Sequence, residues 1–233
     1  MKVLIVGSGG REHAIAWSVS KSPKVDKIYC APGNGGIAEL AECVDIAATD
    51  IENMVKFAKD NAIDLVMVAP DDPLVLGMVD AMEKEGIRAF GPRANAAIIE
   101  GSKAFSKELM KKYNIPTANY EVFTDSTSAI DYIKAQNTFP TVIKADGLAL
   151  GKGVIIAKNL EEAEQAVHEM IDDGKFGKSG SRVVIEEFLT GPEVSVLAFT
   201  DGKTVKPMVS AQDHKRAYDN DEGLNTGGMG TFS

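Results

Sequence analysis

The sequence predicts an α/β protein, with an open parallel sheet in the first hundred residues and a mixed α+β region after it. Short apolar runs alternate with helical patterns up to about residue 101, as in chains whose parallel strands are joined by helical crossovers. A different pattern begins near residue 102 and includes a hairpin signal at Asp201-Gly202. Two glycine-rich segments each follow a predicted strand, which favours ligand-binding loops.

Four apolar runs in the first half predict buried parallel strands, at residues 3–6, 27–30, 65–68 and 87–90. Helical patterns lie between or after them, at residues 11–19, 51–61 and 74–83. Ligands of such sheets bind beyond the carboxyl ends of the strands, where the turns at Gly7, Pro32 and Pro70 fall. We therefore expect a ligand at that edge of the sheet.

The second half carries shorter elements. Phe105, Leu109 and Tyr113 recur every four residues, which predicts a helix with that apolar face, ended by Pro116. Further helices are expected at residues 126–135 and 160–172, and strands at residues 141–144, 154–157, 182–188, 193–199 and 203–208. Residues 210–233 show little periodicity and much Gly, Asp and Asn, which favours a long functional loop.

The composition disfavours several classes of protein. Lys and Arg number 25 against 34 Asp and Glu, a net charge of −9, whereas nucleic-acid binding needs clustered basic residues. The two cysteines, Cys30 and Cys43, cannot form a disulfide framework and are expected to be reduced thiols. No apolar stretch approaches the roughly 18 residues that a membrane span needs. We expect a cytoplasmic protein without nucleic-acid or membrane partners.

The first glycine-rich loop, residues 7–12, follows a strand and opens a helix, so its backbone N–H groups are expected to face an anion. Glu12 stands where a dinucleotide fold needs its third glycine, and no carboxylate ends the second strand. Three interpretations stay open: a phosphate-bearing ligand, a structural turn, and a nicotinamide or flavin cofactor. Arg11 suits a forked contact with phosphate, whereas His13 is either catalytic or a helix-packing residue.

The second glycine-rich loop, residues 146–153, is not a Walker A motif. Three residues rather than four separate Gly147 from Gly151, Gly153 replaces the Mg²⁺-binding hydroxyl residue, and a strand follows. A Gly-Lys-Gly tip between two strands can still fold over a triphosphate, with Lys152 meeting phosphate oxygens. A plain flexible hairpin tip is the alternative.

Charged residues next to these loops predict the rest of a nucleotide site. Lys144, on an apolar strand, is costly to bury without an anionic partner, and Lys103 lies at the helix start before it. Glu186 and Glu187 are strand neighbours, so one of the two points inward. An inward carboxylate can accept a hydrogen bond from an adenine amino group; a solvated strand end is the alternative. Glu193 is placed to accept from ribose hydroxyls.

Several motifs, in one order along the chain, resemble those of the phosphoribosylamine–glycine ligase family (glycinamide ribonucleotide synthetases) of the ATP-grasp superfamily. They are Val-Gly-Ser-Gly-Gly-Arg-Glu-His-Ala at 6–14, Ala-Pro-Gly-Asn at 31–34, Glu-Gly-Ser-Lys at 100–103, Lys-Ala-Asp-Gly-Leu-Ala at 144–149, Gly-Lys-Gly-Val at 151–154, Glu-Glu-Phe-Leu at 186–189, Gln-Asp-His-Lys-Arg at 212–216 and Asn-Thr-Gly-Gly-Met-Gly at 225–230. The resemblance implies a Rossmann-like pre-ATP-grasp substrate domain at residues 1–101, the start of an ATP-grasp core at 102–122, an α+β lid at 123–190 and an incomplete core at 191–233.

The resemblance also implies a reaction, the ATP-dependent ligation of glycine to 5-phosphoribosylamine in purine biosynthesis. Glycine is activated as glycyl phosphate, and the amine then displaces phosphate to give glycinamide ribonucleotide. Implied ATP contacts are Lys103, Lys144, Gly151, Lys152, Gly153, Glu186, Glu187, the Leu189 backbone and Glu193. Implied substrate contacts are Gly9, Gly10, Arg11, Gly33, Asn34, Asp213, His214, Lys215, Asn225, Thr226, Gly227 and Gly228. Lys152, Asp213 and Arg216 are the implied catalytic residues, and His214 is alternatively only a support for its loop.

The chain departs from the family pattern in two places. Where the family usually has Gly-Pro-Glu, this chain has Ala69-Pro70-Asp71, and the shorter Asp71 side chain reaches less far. A complete member is about twice as long, so the Mg²⁺ ligands are expected beyond Ser233 and the chain is expected to be inactive alone. The alternatives are a nucleotide-binding fragment without catalysis and another ATP-grasp carboxylate–amine ligase. The oligomeric state, monomer or dimer, stays open.

Overall fold

The computed structural model describes residues 1–148 and 153–233, apart from the side chains at positions 178, 221, 224, 225 and 227. The chain divides into two compact units, Met1–Glu186 and Glu187–Ser233. The first unit contains a five-stranded and a four-stranded sheet with their helices, and the second contains two-stranded antiparallel ladders. Within the described residues, every helix is too short or too polar to cross a membrane.

The five-stranded sheet is parallel throughout and has the order β3-β2-β1-β4-β5. Its strands are β1 (Lys2–Gly7), β2 (Lys27–Pro32), β3 (Glu42–Cys43), β4 (Leu65–Val68) and β5 (Ala89–Phe90). The strand order reverses between β1 and β4, the position where open parallel sheets bind their ligands. The predicted α/β class and parallel sheet are confirmed, and the short edge strand β3 is an addition to the prediction.

Helices cover both faces of this sheet. They are α1 (Gly10–Ser20), α2 (Ile51–Asp60), α3 (Asp71–Val75), α4 (Met78–Lys84) and α5 (Ala94–Gly101). Leu4 and Val6 pack with the buried Met54 of α2, whereas Val3 and Ile5 pack with Ala16 of α1 on the opposite face. Alternate residues of β1 therefore enter different cores, which explains why its apolar run is continuous.

One predicted helix is wrong in its boundaries. The segment at residues 74–83 forms two helices, α3 and α4, which are separated by Gly77 in a left-handed conformation with φ of +90°. Because a left-handed residue cannot continue a right-handed helix, the chain changes direction there. The strand expected at residues 87–90 is limited to β5, and α5 was absent from the prediction.

The four-stranded sheet has the order β6-β9-β7-β8, and both β6–β9 and β7–β8 are antiparallel pairs. Its strands are β6 (Tyr120–Phe123), β7 (Thr141–Ala145), β8 (Val154–Ala157) and β9 (Val183–Glu187). Three helices belong to this part of the chain: α6 (Lys103–Lys112), α7 (Ser126–Gln136) and α8 (Leu160–Ile171). Ile133, Ile143, Met170 and Val183 form the centre of its core.

The apolar face predicted for α6 is wrong. Phe105 is 40% exposed and Tyr113 is 60% exposed, whereas Ala104 and Lys107 are the buried residues of the helix. A buried lysine is tolerated only with compensating partners, and Lys107 forms an ion pair with the buried Glu186 at 3.2 Å. This long-range ion pair places a charged face of α6 inward, which helical periodicity of apolar residues does not reveal.

The second unit contains two hairpins. Strands β10 (Ala198–Thr200) and β11 (Val205–Pro207) flank Asp201-Gly202, so the predicted hairpin is confirmed with shorter strands. The long loop expected at residues 210–233 is wrong, because β12 (Gln212–Tyr218) and β13 (Glu222–Phe232) form an antiparallel ladder. Backbone hydrogen bonds form such a ladder without apolar alternation. Asn220, left-handed with φ of +59°, lies in the connecting turn.

Candidate functional site

The first glycine loop is closed by its own carboxylate. Glu12 is buried, and its Oε2 accepts a hydrogen bond from the Gly9 backbone N–H at 2.6 Å. A Cβ atom on Gly7, whose φ is +124°, would lie 2.7 Å from Glu12 Cγ, so the loop leaves no room for a side chain there. In this structure the Gly9 N–H is thus directed at Glu12, a carboxylate of the same loop.

Two side chains tie the loops of the parallel sheet together at its carboxyl edge. Asn34 donates from Nδ2 to Ser8 O at 2.8 Å and accepts at Oδ1 from the Ile37 N–H at 2.9 Å. Arg11 donates from Nη1 to Ala69 O at 2.7 Å, and the same atom lies 3.7 Å from Asp71 Oδ1. The shorter Asp71 thus still forms an ion pair with Arg11. Gly9, Gly10, Arg11, Gly33 and Asn34 all belong to these turns.

Both cysteines are free thiols, as the composition predicts. Cys30 is buried beneath the first loop and donates from Sγ to Gly7 O at 3.3 Å. Burial raises the pKa of the Cys30 thiol to about 12. Cys30 therefore acts as a packing residue under the loop, and its thiol is held in the protonated, weakly nucleophilic form at neutral pH.

A separate cavity of about 240 Å³ lies in the first unit, where α5, α6, β7 and β9 meet. Its lining is mainly charged, and consists of Ile99, Glu100, Lys103, Ser106, Lys107, Lys144 and Glu186. Three of the residues expected to contact a nucleotide, Lys103, Lys144 and Glu186, are thus brought together.

Glu186 is the central residue of this cavity. Its side chain is 5% exposed, and its Oε2 accepts from Lys144 Nζ at 2.9 Å and pairs with Lys107 Nζ at 3.2 Å. The other oxygen, Oε1, is buried and has no hydrogen-bond partner among the described residues. Of the two neighbouring glutamates Glu186 therefore points inward, while Glu187 is exposed. A buried acceptor without a donor is costly, so Oε1 is suited to a ligand N–H.

Lys103 stands at the first residue of α6, beside the root of the second glycine loop. Its Nζ donates to Gly147 O at 3.0 Å. Burial lowers the pKa of Lys103, while the charges of Asp146 and Glu100 act in the opposite direction. Gly151 and Lys152 lie outside the described residues. Gly153 is buried, and its carbonyl accepts the Ala145 N–H at 2.8 Å, which continues the β7–β8 ladder.

Asp146 is a site residue that the sequence pattern did not single out. It is buried, and its Oδ1 accepts from the Ala104 N–H at 2.7 Å and from Ser102 Oγ at 3.0 Å. Its Oδ2 accepts from Arg182 Nε at 2.9 Å. Asp146 thus joins the start of α6, which carries Lys103, to the end of β7 and to β9. The sequence signal that could have identified Asp146 is its position directly after a buried strand.

In the second unit, the Lys215 ammonium pairs with Glu193 and lies 3.6 Å from Asp213 Oδ1. The hydrogen bond to Glu193 is the main reason that the pKa of Lys215 is raised. Glu193, expected to accept from ribose, is thus engaged by a lysine in this structure. Three sequence-predicted residues of β12 and its surroundings are therefore brought into one cluster.

Most of the remaining predicted residues lie on the β12–β13 ladder. Arg216 donates from Nη1 to Gly223 O at 2.7 Å, and Thr226 Oγ1 donates to Lys215 O at 2.8 Å. Gly228 donates its N–H to Thr226 Oγ1 at 3.1 Å. His214 is exposed. Leu189 is also exposed, and the side-chain positions 225 and 227 lie outside the description.

The geometry offers little to a metal ion. The described part of the chain contains no group of three or more His, Cys, Asp or Glu side chains that could hold one. No chemical step is therefore assigned to a magnesium ion.

Comparison of the fold with solved structures defines the class of protein. The biotin carboxylase domain of the Hydrogenobacter thermophilus 2-oxoglutarate carboxylase is 19% identical, has a TM-score of 0.74, and is matched over 94% of this chain and 51% of its own. The Thermotoga maritima phosphoribosylamine–glycine ligase is 34% identical with a TM-score of 0.83, over 99% of this chain and 55% of its own. The fold is that of ATP-grasp proteins.

The sequence comparisons define the family. Residues 1–100 match the model for the phosphoribosylglycinamide synthetase N domain, and residues 101–233 match that for its ATP-grasp (A) domain. The chain belongs to the phosphoribosylglycinamide synthetase family, as the sequence motifs predict. Phosphoribosylamine–glycine ligases from Halalkalibacterium halodurans and Haemophilus influenzae are 55% and 54% identical over all of this chain, which covers 54% of each. The chain thus spans about half the length of the curated relatives it matches.

Proposed function

We propose that this chain supplies the N-terminal substrate domain and much of the nucleotide site of a ligase that joins glycine to 5-phosphoribosylamine with ATP. Family membership supports the reaction. The observation that carries the nucleotide site is the buried, unpartnered Oε1 of Glu186, in a cavity that Lys103 and Lys144 also line.

Glu186 is assigned to the adenine ring. An ionised carboxylate is a hydrogen-bond acceptor only, and the exocyclic amino group of adenine is a donor that satisfies Oε1. The backbone of Leu189 is proposed to complete the contact with the ring. Glu193 is assigned to the ribose of the same nucleotide, and Glu187, the neighbour of Glu186 on β9, stays among the proposed ATP contacts.

Lys103 and Lys144 are assigned to the phosphates, together with Gly151, Lys152 and Gly153 of the second glycine loop. Bound ATP supplies the phosphoryl group that activates the carboxylate of glycine as glycyl phosphate. Phosphoryl transfer depends mainly on positioning and charge stabilisation. Burial lowers the pKa of Lys103, so this side chain is partly shielded from bulk water beside the site. The protein's part is therefore to align the phosphates and exclude water.

The other substrates are assigned to the two remaining groups of residues. The turns at the edge of the parallel sheet, which contain Gly9, Gly10, Arg11, Gly33 and Asn34, are proposed to bind the phosphate of 5-phosphoribosylamine. Helix N-termini and arginine favour such anions. The β12–β13 ladder is proposed to serve glycine and the reacting amine, through Asp213, His214, Lys215, Arg216, Asn225, Thr226, Gly227 and Gly228. Lys152, Asp213 and Arg216 are the proposed catalytic residues.

The nucleotide assignment is tested by replacing Lys144 with methionine. The Lys144→Met variant is expected to bind ATP about tenfold more weakly than the wild type, because one charge-assisted contact is lost. Isothermal calorimetry on the 233-residue chain measures this. Lys134→Met is the matched control, since Lys134 on α7 pairs with Glu164 on α8 and is half exposed. Equal ATP affinity in Lys144→Met and the wild type contradicts the assignment.

The reaction is tested by phosphate release from a chain completed with the C-terminal half of the Haemophilus influenzae relative. Release is expected to require ATP, glycine and 5-phosphoribosylamine together, because the acyl phosphate is consumed only when the amine is present. Omitting each substrate in turn is the control. Phosphate release with another amine in place of 5-phosphoribosylamine contradicts the substrate assignment.

A further inference from the structure

Lys107 is a buried ammonium group whose hydrogen-bonding capacity is filled by the protein. Its Nζ donates to Thr117 Oγ1 at 2.7 Å and to Ala118 O at 3.3 Å, and it lies 3.2 Å from Glu186 Oε2. The ring centroid of Tyr120 is 5.4 Å from the same atom. Because an ammonium has three donors, these three oxygens account for all of them, and Lys107 has no donor left for a ligand.

Lys144 contacts the same carboxylate but differs in its surroundings. Its side chain is 28% exposed against 9% for Lys107, and within the part of the chain that the structure describes its ammonium has one partner, Glu186 Oε2 at 2.9 Å. Lys144 therefore retains donors for an anionic ligand. The Lys107 ammonium is thus occupied by protein oxygens, whereas the more exposed Lys144 can contact a ligand in the cavity.

Both lysines bind the same oxygen of Glu186. With Oε2 engaged by both lysines, Oε1 is left as a buried acceptor without a partner among the described residues, and Glu186 is one of the residues that line the cavity. The side chain of Glu186 cannot turn about its last bond without breaking its hydrogen bond with Lys144, which is charge-assisted and therefore stronger than a neutral one, and its ion pair with Lys107. The orientation of the Glu186 carboxylate, and with it the position of Oε1, is thus set by Lys107 together with Lys144.

We propose that Lys107 is a positioning residue that makes the site selective for a purine with an amino group rather than an oxo group at position 6. It does so by holding Glu186 so that Oε1 presents only an acceptor. This inference rests on the proposed nucleotide site. A 6-oxo purine places an oxygen, which is also an acceptor, against Oε1. A site built to accept a hydrogen bond from the 6-amino group strongly rejects an analogue that lacks this donor. No ligand atom contacts Lys107 in this scheme.

The experiment compares ATP with inosine triphosphate (ITP), which carries an oxo group in place of the 6-amino group. Calorimetry on the 233-residue chain is expected to show that the wild type prefers ATP. In Lys107→Met the ATP-to-ITP affinity ratio is expected to fall about tenfold, the scale of one charge-assisted hydrogen bond. Lys107→Arg, which keeps the positive charge and the donors, is expected to recover most of the ratio. Lys111→Met, on the exposed side of the same helix, is the matched control.

Several outcomes overturn the inference. An unchanged ATP-to-ITP ratio in Lys107→Met, with thermal unfolding showing a folded chain, removes Lys107 from selectivity. If the variant does not fold, Thr117→Val takes its place: it removes one acceptor of Lys107, and an unchanged ratio overturns the inference equally. If the wild type shows no preference or binds neither nucleotide, the proposed adenine contact fails. A crystal structure of folded Lys107→Met tests the positioning role separately from binding. If the Glu186 carboxylate keeps its wild-type orientation in that structure, Lys107 does not position it.

Discussion

Replacing Glu186 with alanine is expected to lower the free energy of unfolding of the first unit by about 3–5 kcal/mol, the cost of breaking a buried ion pair from one side. The reason is that Lys107, which is almost fully buried, loses its carboxylate partner and keeps its charge. Lys144 is partly exposed and can turn toward water, so it adds less to this loss. The same variant is expected to lose detectable ATP binding, since the acceptor Oε1 disappears.

Urea unfolding followed by circular dichroism measures the stability change, and calorimetry measures the binding. Glu121→Ala is the matched control, because Glu121 is an exposed glutamate on β6, the strand that pairs with β9. Its unfolding free energy is expected to change by less than about 0.5 kcal/mol, as for most surface substitutions. Equal unfolding midpoints for Glu186→Ala and Glu121→Ala would show that the carboxylate does not stabilise its buried surroundings.

Replacing Asp146 with alanine is expected to lower the free energy of unfolding by about 2–3 kcal/mol, because two buried donors lose their acceptor. The Ala104 N–H and Ser102 Oγ lose their acceptor near the start of α6, and Arg182 loses its ion pair. Loss of a helix cap alone costs about 1 kcal/mol. The arginine is partly exposed and contributes less than a buried partner would.

Hydrogen exchange is the sharper measurement for this variant. The Ala104 amide is expected to lose protection in Asp146→Ala, while amides of the parallel sheet, such as that of Ile5, keep theirs. Asp146→Asn, which retains one acceptor oxygen, is expected to be intermediate. A double-mutant cycle with Arg182→Met reports the coupling of the two side chains, and Asp173→Asn serves as the exposed control. Unchanged Ala104 protection in Asp146→Ala would refute the capping role.

Local patterns were sufficient for most of the elements. The apolar run at residues 3–6 predicts β1, and the run at residues 65–68 is β4 itself. These predictions succeed because strand and helix periodicity depends on neighbours within a few residues. The family motifs succeed for a related reason: a glycine loop and its flanking strand are contiguous in the sequence. The ligand roles of the individual residues stay predictions.

Other predictions failed where distant residues decide the outcome. The apolar face assigned to α6 through Phe105 and Tyr113 is wrong because the ion pair between Lys107 and Glu186 orients the helix. The long loop at residues 210–233 is wrong because two exposed strands pair through their backbones, which leaves no apolar alternation to detect. In the first glycine loop, the hydrogen bond from Gly9 to Glu12 was not anticipated, although both residues are close in sequence.

The amino-acid sequence alone determined the α/β class, the order of the strands along the chain, the two glycine loops and the family, since each depends on contiguous residues. The tertiary structure alone decided which of the two neighbouring glutamates, Glu186 or Glu187, is buried. It also decided that Lys107 and Lys144 both contact Glu186 at the cavity, with Lys107 almost fully buried and Lys144 partly exposed. The physical reason is that a buried charge is stable only where its partners are, and Lys144 and Glu186 are 42 positions apart in the chain.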